Sequence, residues 1–264
     1  MKQIVLKGDC PYFESNCGGC ATDKIDCRCP KLIAYEGVND PQIKQSVLDK
    51  LNVTATSKFG IMLQMQSVFA QKFHKIKDLS KEEIDKWTNE YLVCIEDELS
   101  EASEFLSLYK IKKYNEIEYR KELIDIIHFL MDGMLVAGIT EQDLITVANC
   151  EGNDLLDYLV NKSRLNARNL LDKANNDLDL ARLYSLDFIR TISIRNVRQQ
   201  ISWKHWKSRK PTIDKEAIIK AWFDMLVCLI DAFVLVNTTS DDIFNIYVNK
   251  NVENQLRQDN GYNK

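Results

Sequence analysis

The chain has 264 residues, 45% of them hydrophobic, with only 9 Gly and 4 Pro and a formal net charge of −4. This is the composition of a folded protein, and the scarcity of Gly and Pro over long periodic segments points to helices rather than strands. The acidic balance argues against nucleic acid or a membrane surface as a partner.

Five of the eight cysteines crowd the first thirty residues: Cys10, Cys17, Cys20, Cys27 and Cys29. Cys17-Gly-Gly-Cys20 has the C-x₂-C spacing and flexible glycines of a metal knuckle. No apolar run suits a signal peptide, and none reaches the roughly 18 residues of a membrane span. The stretch 225–236 comes nearest, and Asp231 interrupts it. The expected location is the cytoplasm, where a disulfide framework is out of place. Residues 1–35 therefore read as a Cys-rich module holding a structural Zn²⁺ with four of the five thiolates. An iron–sulfur site and unliganded thiols are the alternatives.

From 36 to 264 the pattern is that of one all-α domain, a helical bundle. Helices are expected at 42–52, 57–77, 81–110, 115–138, 141–149, 152–173, 176–207, 214–237 and 240–259. Ser80 before Lys-Glu-Glu83 and Thr140 before Glu-Gln-Asp143 resemble capping boxes. Cys94, Cys150 and Cys228 lie in apolar segments and read as small core residues.

Two of these helices carry the chemistry. Glu98-Leu-Ser-Glu101 and Glu122-Leu-Ile-Asp125 each place two carboxylates one turn apart on one helix face. Such pairs repel unless a cation lies between them, and two pairs packed face to face suit a hard divalent ion such as Mg²⁺. Either pair alone is more simply a solvated acidic face. The second, however, sits on a helix that is apolar nearly all round and should be buried, and buried carboxylates need partners. Asp132 and Glu104 continue the acidic stripes, as outer-shell groups or as plain surface charge. His128 reads as a hydrogen-bonded core residue, because Mg²⁺ favours oxygen ligands.

A weak internal repeat runs through the chain. Shifted by 99 residues, Asp125, Asp132, Thr140 and Asp143 fall on Asp224, Asp231, Thr239 and Asp242. Upstream, Tyr109-Lys110 lies opposite Trp206-Lys207 if two residues are inserted. In that frame Glu98 and Glu101 correspond to Arg195 and Arg198. One half would carry the metal and the other would pack against it.

The chain resembles the all-α nucleoside triphosphate pyrophosphohydrolases, and among them the dimeric dUTPases. The resemblance rests on the two acidic pairs with trailing His128-Phe129 and on Trp203-Lys-His-Trp206-Lys207. Its most specific part is Lys250-Asn-Val-Glu-Asn254-Gln-Leu-Arg257-Gln-Asp-Asn-Gly261-Tyr262. It covers residues 57–264. It implies Mg²⁺-dependent hydrolysis of a deoxynucleoside triphosphate, above all dUTP, to the monophosphate and pyrophosphate, in a homodimer. By the same resemblance Glu98, Glu101, Glu122 and Asp125 are Mg²⁺ ligands, and Glu98 or Glu101 orients the attacking water. Phe129 lies near the base, Gln66 reads uracil, and Lys250, Asn254, Arg257 and Tyr262 hold sugar and phosphates. The family's asparagine four residues beyond the glutamine is Ala70 here. Its Trp-rich loop follows the first acidic pair, whereas here it falls in the second half. A dCTP or broader nucleotide pyrophosphatase, and a catalytically inactive helical interaction protein, are the competing expectations.

Overall fold

Short polar side chains fix where the helices begin, and they do so twice along the chain. The computed structural model describes residues 41–106, 116–201 and 214–259, and every regular element among them is helical. In chain order these are α1 (Pro41–Lys50), α2 (Lys58–Ala70), α3 (Lys81–Glu104), α4 (Glu116–Val136), α5 (Glu141–Ala148), α6 (Leu155–Lys173) and α7 (Leu178–Phe188). A π-helical turn (Ile189–Ser193), α8 (Ile194–Gln199), α9 (Lys215–Val234) and α10 (Ser240–Asp259) follow. The fold is all-α. Residues 53–248 form one compact unit, while 1–52 group with 249–264 in another. The cysteine module, Trp203, Trp206 and Tyr262 lie outside the described residues.

Both expected capping boxes are present, Ser80 with Glu83 and Thr140 with Asp143. Each satisfies amide donors that the first helical turn leaves without partners. Three expected boundaries differ, the first being the helix expected over 81–110, which stops at Glu104. The helix expected over 57–77 stops at Ala70, and the chain then reverses through Asp78 in the left-handed region at φ +55°. The helix expected over 176–207 is interrupted by the π turn, and its regular part ends at Gln199.

The repeat is visible in the backbone. Ser57 and Asp154 cap α2 and α6, and Ser80 and Asp177 cap α3 and α7, each pair 97 residues apart. Asp78 and Asn175, the same distance apart, both take positive φ before those caps. At the ends of α4 and α9 the spacing is 99. Gly138 and Asn237 share positive φ, and Thr239 caps Asp242 through the same hydrogen bonds that Thr140 makes to Asp143. The order α2-α3-α4-α5 therefore recurs as α6-α7/α8-α9-α10.

The π turn accounts for one of the two extra residues and corrects one sequence correspondence. A π turn accommodates one residue more than the α-helix it interrupts. Past it, the helix is one residue out of phase with α3, so Asn196, not Arg195, takes the place of Glu98. Arg198 instead grips Glu96 with two parallel bonds of 2.8 and 2.9 Å, and Arg195 is exposed. These bonds tie the second half to α3.

Long helix α4 lies at the centre, packed along α3 on one side and against α9 on the other. Ile124, Ile127, Leu130, Met131 and Met134 are buried in it, as its near-continuous apolar pattern requires. Where α4 meets α9, Gly133 lets the Trp222 ring approach so closely that a Cβ would stand 2.2 Å from it. The start of α2 is pinned to the second half. Lys58 reaches Asp157 at 2.7 Å and Asp241 at 2.6 Å, and its backbone amide donates to Asp154 at 2.7 Å.

Candidate metal centre

Because α3 and α4 pack along each other, the i, i+3 pairs on them converge. Glu98, Glu101 and Glu122 each offer a carboxylate oxygen, and these oxygens lie within 4.8 Å of one another. Asp125 is not one of that trio, yet its charge acts on Glu98. Glu98 and Glu122 are half-buried and Glu101 is exposed. Burial first, then the charges of Asp125, Glu101 and Glu122 and a hydrogen bond with Glu122, push the Glu98 carboxyl up to about 8. Without a cation, the cluster therefore holds a proton at neutral pH.

The donor set is all oxygen. Octahedral Mg²⁺ holds its ligands at about 2.0–2.1 Å, which places neighbouring oxygens about 3 Å apart. A trio within 4.8 Å closes to that spacing by side-chain rotation, and no His or Cys in it favours a softer ion. The residues fit a hard divalent cation.

A row of aromatic residues runs down the same face of α3. Trp87, Tyr91, Cys94, Glu98 and Glu101 follow i, i+4, i+7, i+11 and i+14, a single stripe. Half-buried Phe129 stands against Tyr91 with ring centroids 6.4 Å apart, and Trp87 stacks on His74 at 4.1 Å. The Trp87–Tyr91 shelf was readable from that spacing once Glu98 was singled out, but the acidic residues alone did not suggest it.

Gln66 lies deeper. It is buried, with its amide nitrogen donating to Asp132 at 2.8 Å and its carbonyl oxygen accepting from the Tyr247 hydroxyl at 2.9 Å. The His128 Nδ1 lies 2.7 Å from the same oxygen, and the His128 ring stacks on Tyr247 at 4.4 Å. His128 is thus the core residue its apolar surroundings suggested. To read a base edge, Gln66 would have to exchange one of these bonds. Tyr247 gave no signal in the sequence beyond an aromatic in an amphipathic helix.

Asp132 is buried rather than a surface charge. Burial raises its carboxyl to about 7 against the lowering effect of the Gln66 hydrogen bond. The folded chain therefore keeps a proton that the unfolded chain releases near pH 4. Stability from this group is complete below that value and is lost as pH rises through about 7. Asp132→Asn keeps the acceptor for Gln66 and removes the charge. Its thermal midpoint should match the wild type near pH 4 and exceed it by several degrees at pH 8, as followed by circular dichroism.

Lys250, Asn254 and Arg257 lie on one unbroken helix, α10, at spacings that share a face, in the unit formed by 1–52 and 249–264. Arg257 pairs with Glu253 one turn earlier. Comparison with protein-family models, with curated proteins and with solved structures gave no match.

Proposed function

We propose that this chain is a nucleoside triphosphate pyrophosphohydrolase acting on a deoxynucleotide, dUTP first, with Mg²⁺ held by Glu98, Glu101, Glu122 and Asp125. The observation that supports it is the convergence of Glu98, Glu101 and Glu122 from two helices onto one point beside an aromatic shelf. A triphosphate brings about four negative charges, so carboxylates can serve it only with a cation between them. When bound, that cation supplies neutralising charge to the phosphates and lowers the proton affinity of water.

The chain's own residues divide the remaining work. Phe129 and Tyr91 form the apolar wall against which the base rests. Glu98 or Glu101 orients the attacking water and takes its proton. The water oxygen bonds to the α-phosphorus, the bond from that phosphorus to the bridging oxygen breaks, and pyrophosphate leaves with the electron pair. Buried Gln66, His128 and Asp132 brace α4 beneath Phe129 and so hold the wall in place. Lys250, Asn254 and Arg257 are assigned to sugar and phosphates on the strength of the C-terminal motif.

The test is a panel of deoxynucleoside and ribonucleoside triphosphates incubated with Mg²⁺ and scored for pyrophosphate. dUTP should be the best substrate, with dCTP next. Absence of Mg²⁺-dependent release from every nucleotide would leave the helical interaction protein as the better reading.

A further inference from the structure

The second half holds no acidic trio among the described residues, but it has an opening of about 420 Å³ lined by Cys228, the counterpart of Phe129, and by Asn196, the counterpart of Glu98. α6, α7 with the π turn and α8, and α9 line it, just as α2, α3 and α4 surround Phe129 in the first half. The residue correspondences explain why it is open. Asn166 stands where the first half has Phe69, and Cys228 stands where it has Phe129. Two aromatic rings are replaced by an amide and a thiol, and both smaller side chains line the groove. At its edge, Asn196 and Asp224 occupy the places of Glu98 and Asp125. The repeat therefore keeps the helical frame of the site and drops the acidic trio.

The chemistry of the walls selects the ligand. Phe188, 48% exposed, and Ile192 offer an apolar face on which a flat ring can stack. Asn169 and Asn196 present uncharged donors and acceptors suited to the edge of a heterocycle. Lys173 is balanced by Asp231, so a triphosphate finds no net positive charge there. Asp224 is itself engaged by Lys220 at 2.6 Å. The volume falls within the range of about 300–1,000 Å³ typical of small-molecule sites.

We propose that this groove binds an uncharged nucleoside, without phosphates and without a metal, as a second site distinct from the acidic cluster. The choice of a nucleoside rests on reading the first half as a nucleotide site, whereas the existence of the site rests on the groove alone. Calorimetric titration of the full chain, free of divalent ions, with deoxyuridine, deoxycytidine, deoxyadenosine and dUTP tests it. At least one nucleoside should bind with a Kd of about 1 mM or tighter, and dUTP at least about tenfold more weakly. Cys228→Phe restores the ring of the first half and should cost at least about tenfold in nucleoside affinity, with hydrolysis and helicity retained. Asn169→Ala, on an exposed position, should weaken binding several-fold and serves as the second variant if Cys228→Phe fails to fold. No binding at about 10 mM of any nucleoside, or unchanged binding in the folded variants, would overturn the proposal. Loss of nucleoside binding on Glu122→Gln, with binding intact in Cys228→Phe, would overturn it too, by placing the ligand in the first half. Nucleoside binding that is lost in Cys228→Phe, in a wild-type chain that hydrolyses no nucleotide, would support the groove and overturn only the proposed activity.

Discussion

Replacing Glu122 with Gln is expected to cut Mg²⁺-dependent pyrophosphate release by about 10²–10³-fold, because one ligand and one compensating charge are lost together. The same substitution should stabilise the metal-free protein. Glu122 is one of three charges that push the Glu98 carboxyl up to about 8, and a Gln amide in its place can donate to Glu98 instead of repelling it. The two effects have opposite signs, and a residue with a purely structural role would not produce that pairing. Metal binding should also be coupled to pH. Because Glu98 carries its proton up to about pH 8, a cation must displace it at lower pH. The rise in thermal midpoint caused by Mg²⁺ should therefore be larger at pH 9 than at pH 6 in the wild type, and smaller at both in Glu122→Gln. Equal rises in the two proteins would remove Glu122 from the cation site.

The largest effect on stability is expected from Gly133→Ala. The added methyl would lie 2.2 Å from the Trp222 ring, and Trp222 is fully buried, so neither helix can yield without unpacking the other. Overpacking of this kind costs about 1–3 kcal/mol, which for a unit of this size lowers the midpoint by roughly 2–12 °C. The repeat suggests its own repair. Gly133 corresponds to Ala232 and Trp222 to Leu123, so the double variant Gly133→Ala with Trp222→Leu exchanges a glycine–tryptophan contact for an alanine–leucine one. Thermal melts should show the pair recovering part of the loss, a coupling that independent sites would not give.

Much of this architecture was legible in the sequence because the signals were local. Helix positions followed from apolar periodicity, and the Ser80 and Thr140 caps followed from side chains that act on their own turn. The two acidic pairs were legible for the same reason, since i, i+3 spacing fixes a shared face within one helix, whereas the meeting of Glu122 with Glu98 and Glu101 is a contact between helices. What escaped the sequence depends on contacts between distant segments. Asp132 could be read as a surface charge because nothing near it in the chain reveals Gln66, 66 residues away, as its partner. The burial of Gln66 beneath Tyr247 is likewise a long-range fact. The end of α2 at Ala70 escaped because Phe73 and Ile76 keep a helical apolar spacing, and only the left-handed Asp78 marks the reversal, which buries Ile76 and leaves Phe73 half exposed.

The five residues Ile189–Ser193 act as a phase shifter between two otherwise similar helices. One residue of an α-helix is worth about 100° of rotation, so everything after the π turn is swung round by that amount relative to its sequence counterpart in α3. Sequence likeness and spatial likeness between the halves thus fall out of step at one point. Arg198 is turned onto α3, where it clamps Glu96, and uncharged Asn196 is left lining the groove together with Asp224. Were the π turn wound as ordinary helix at the same length, Arg195 would swing into the place of Asn196 and set a guanidinium at the mouth of the groove. A single loosened turn therefore decides whether the second half presents a cation or an amide there.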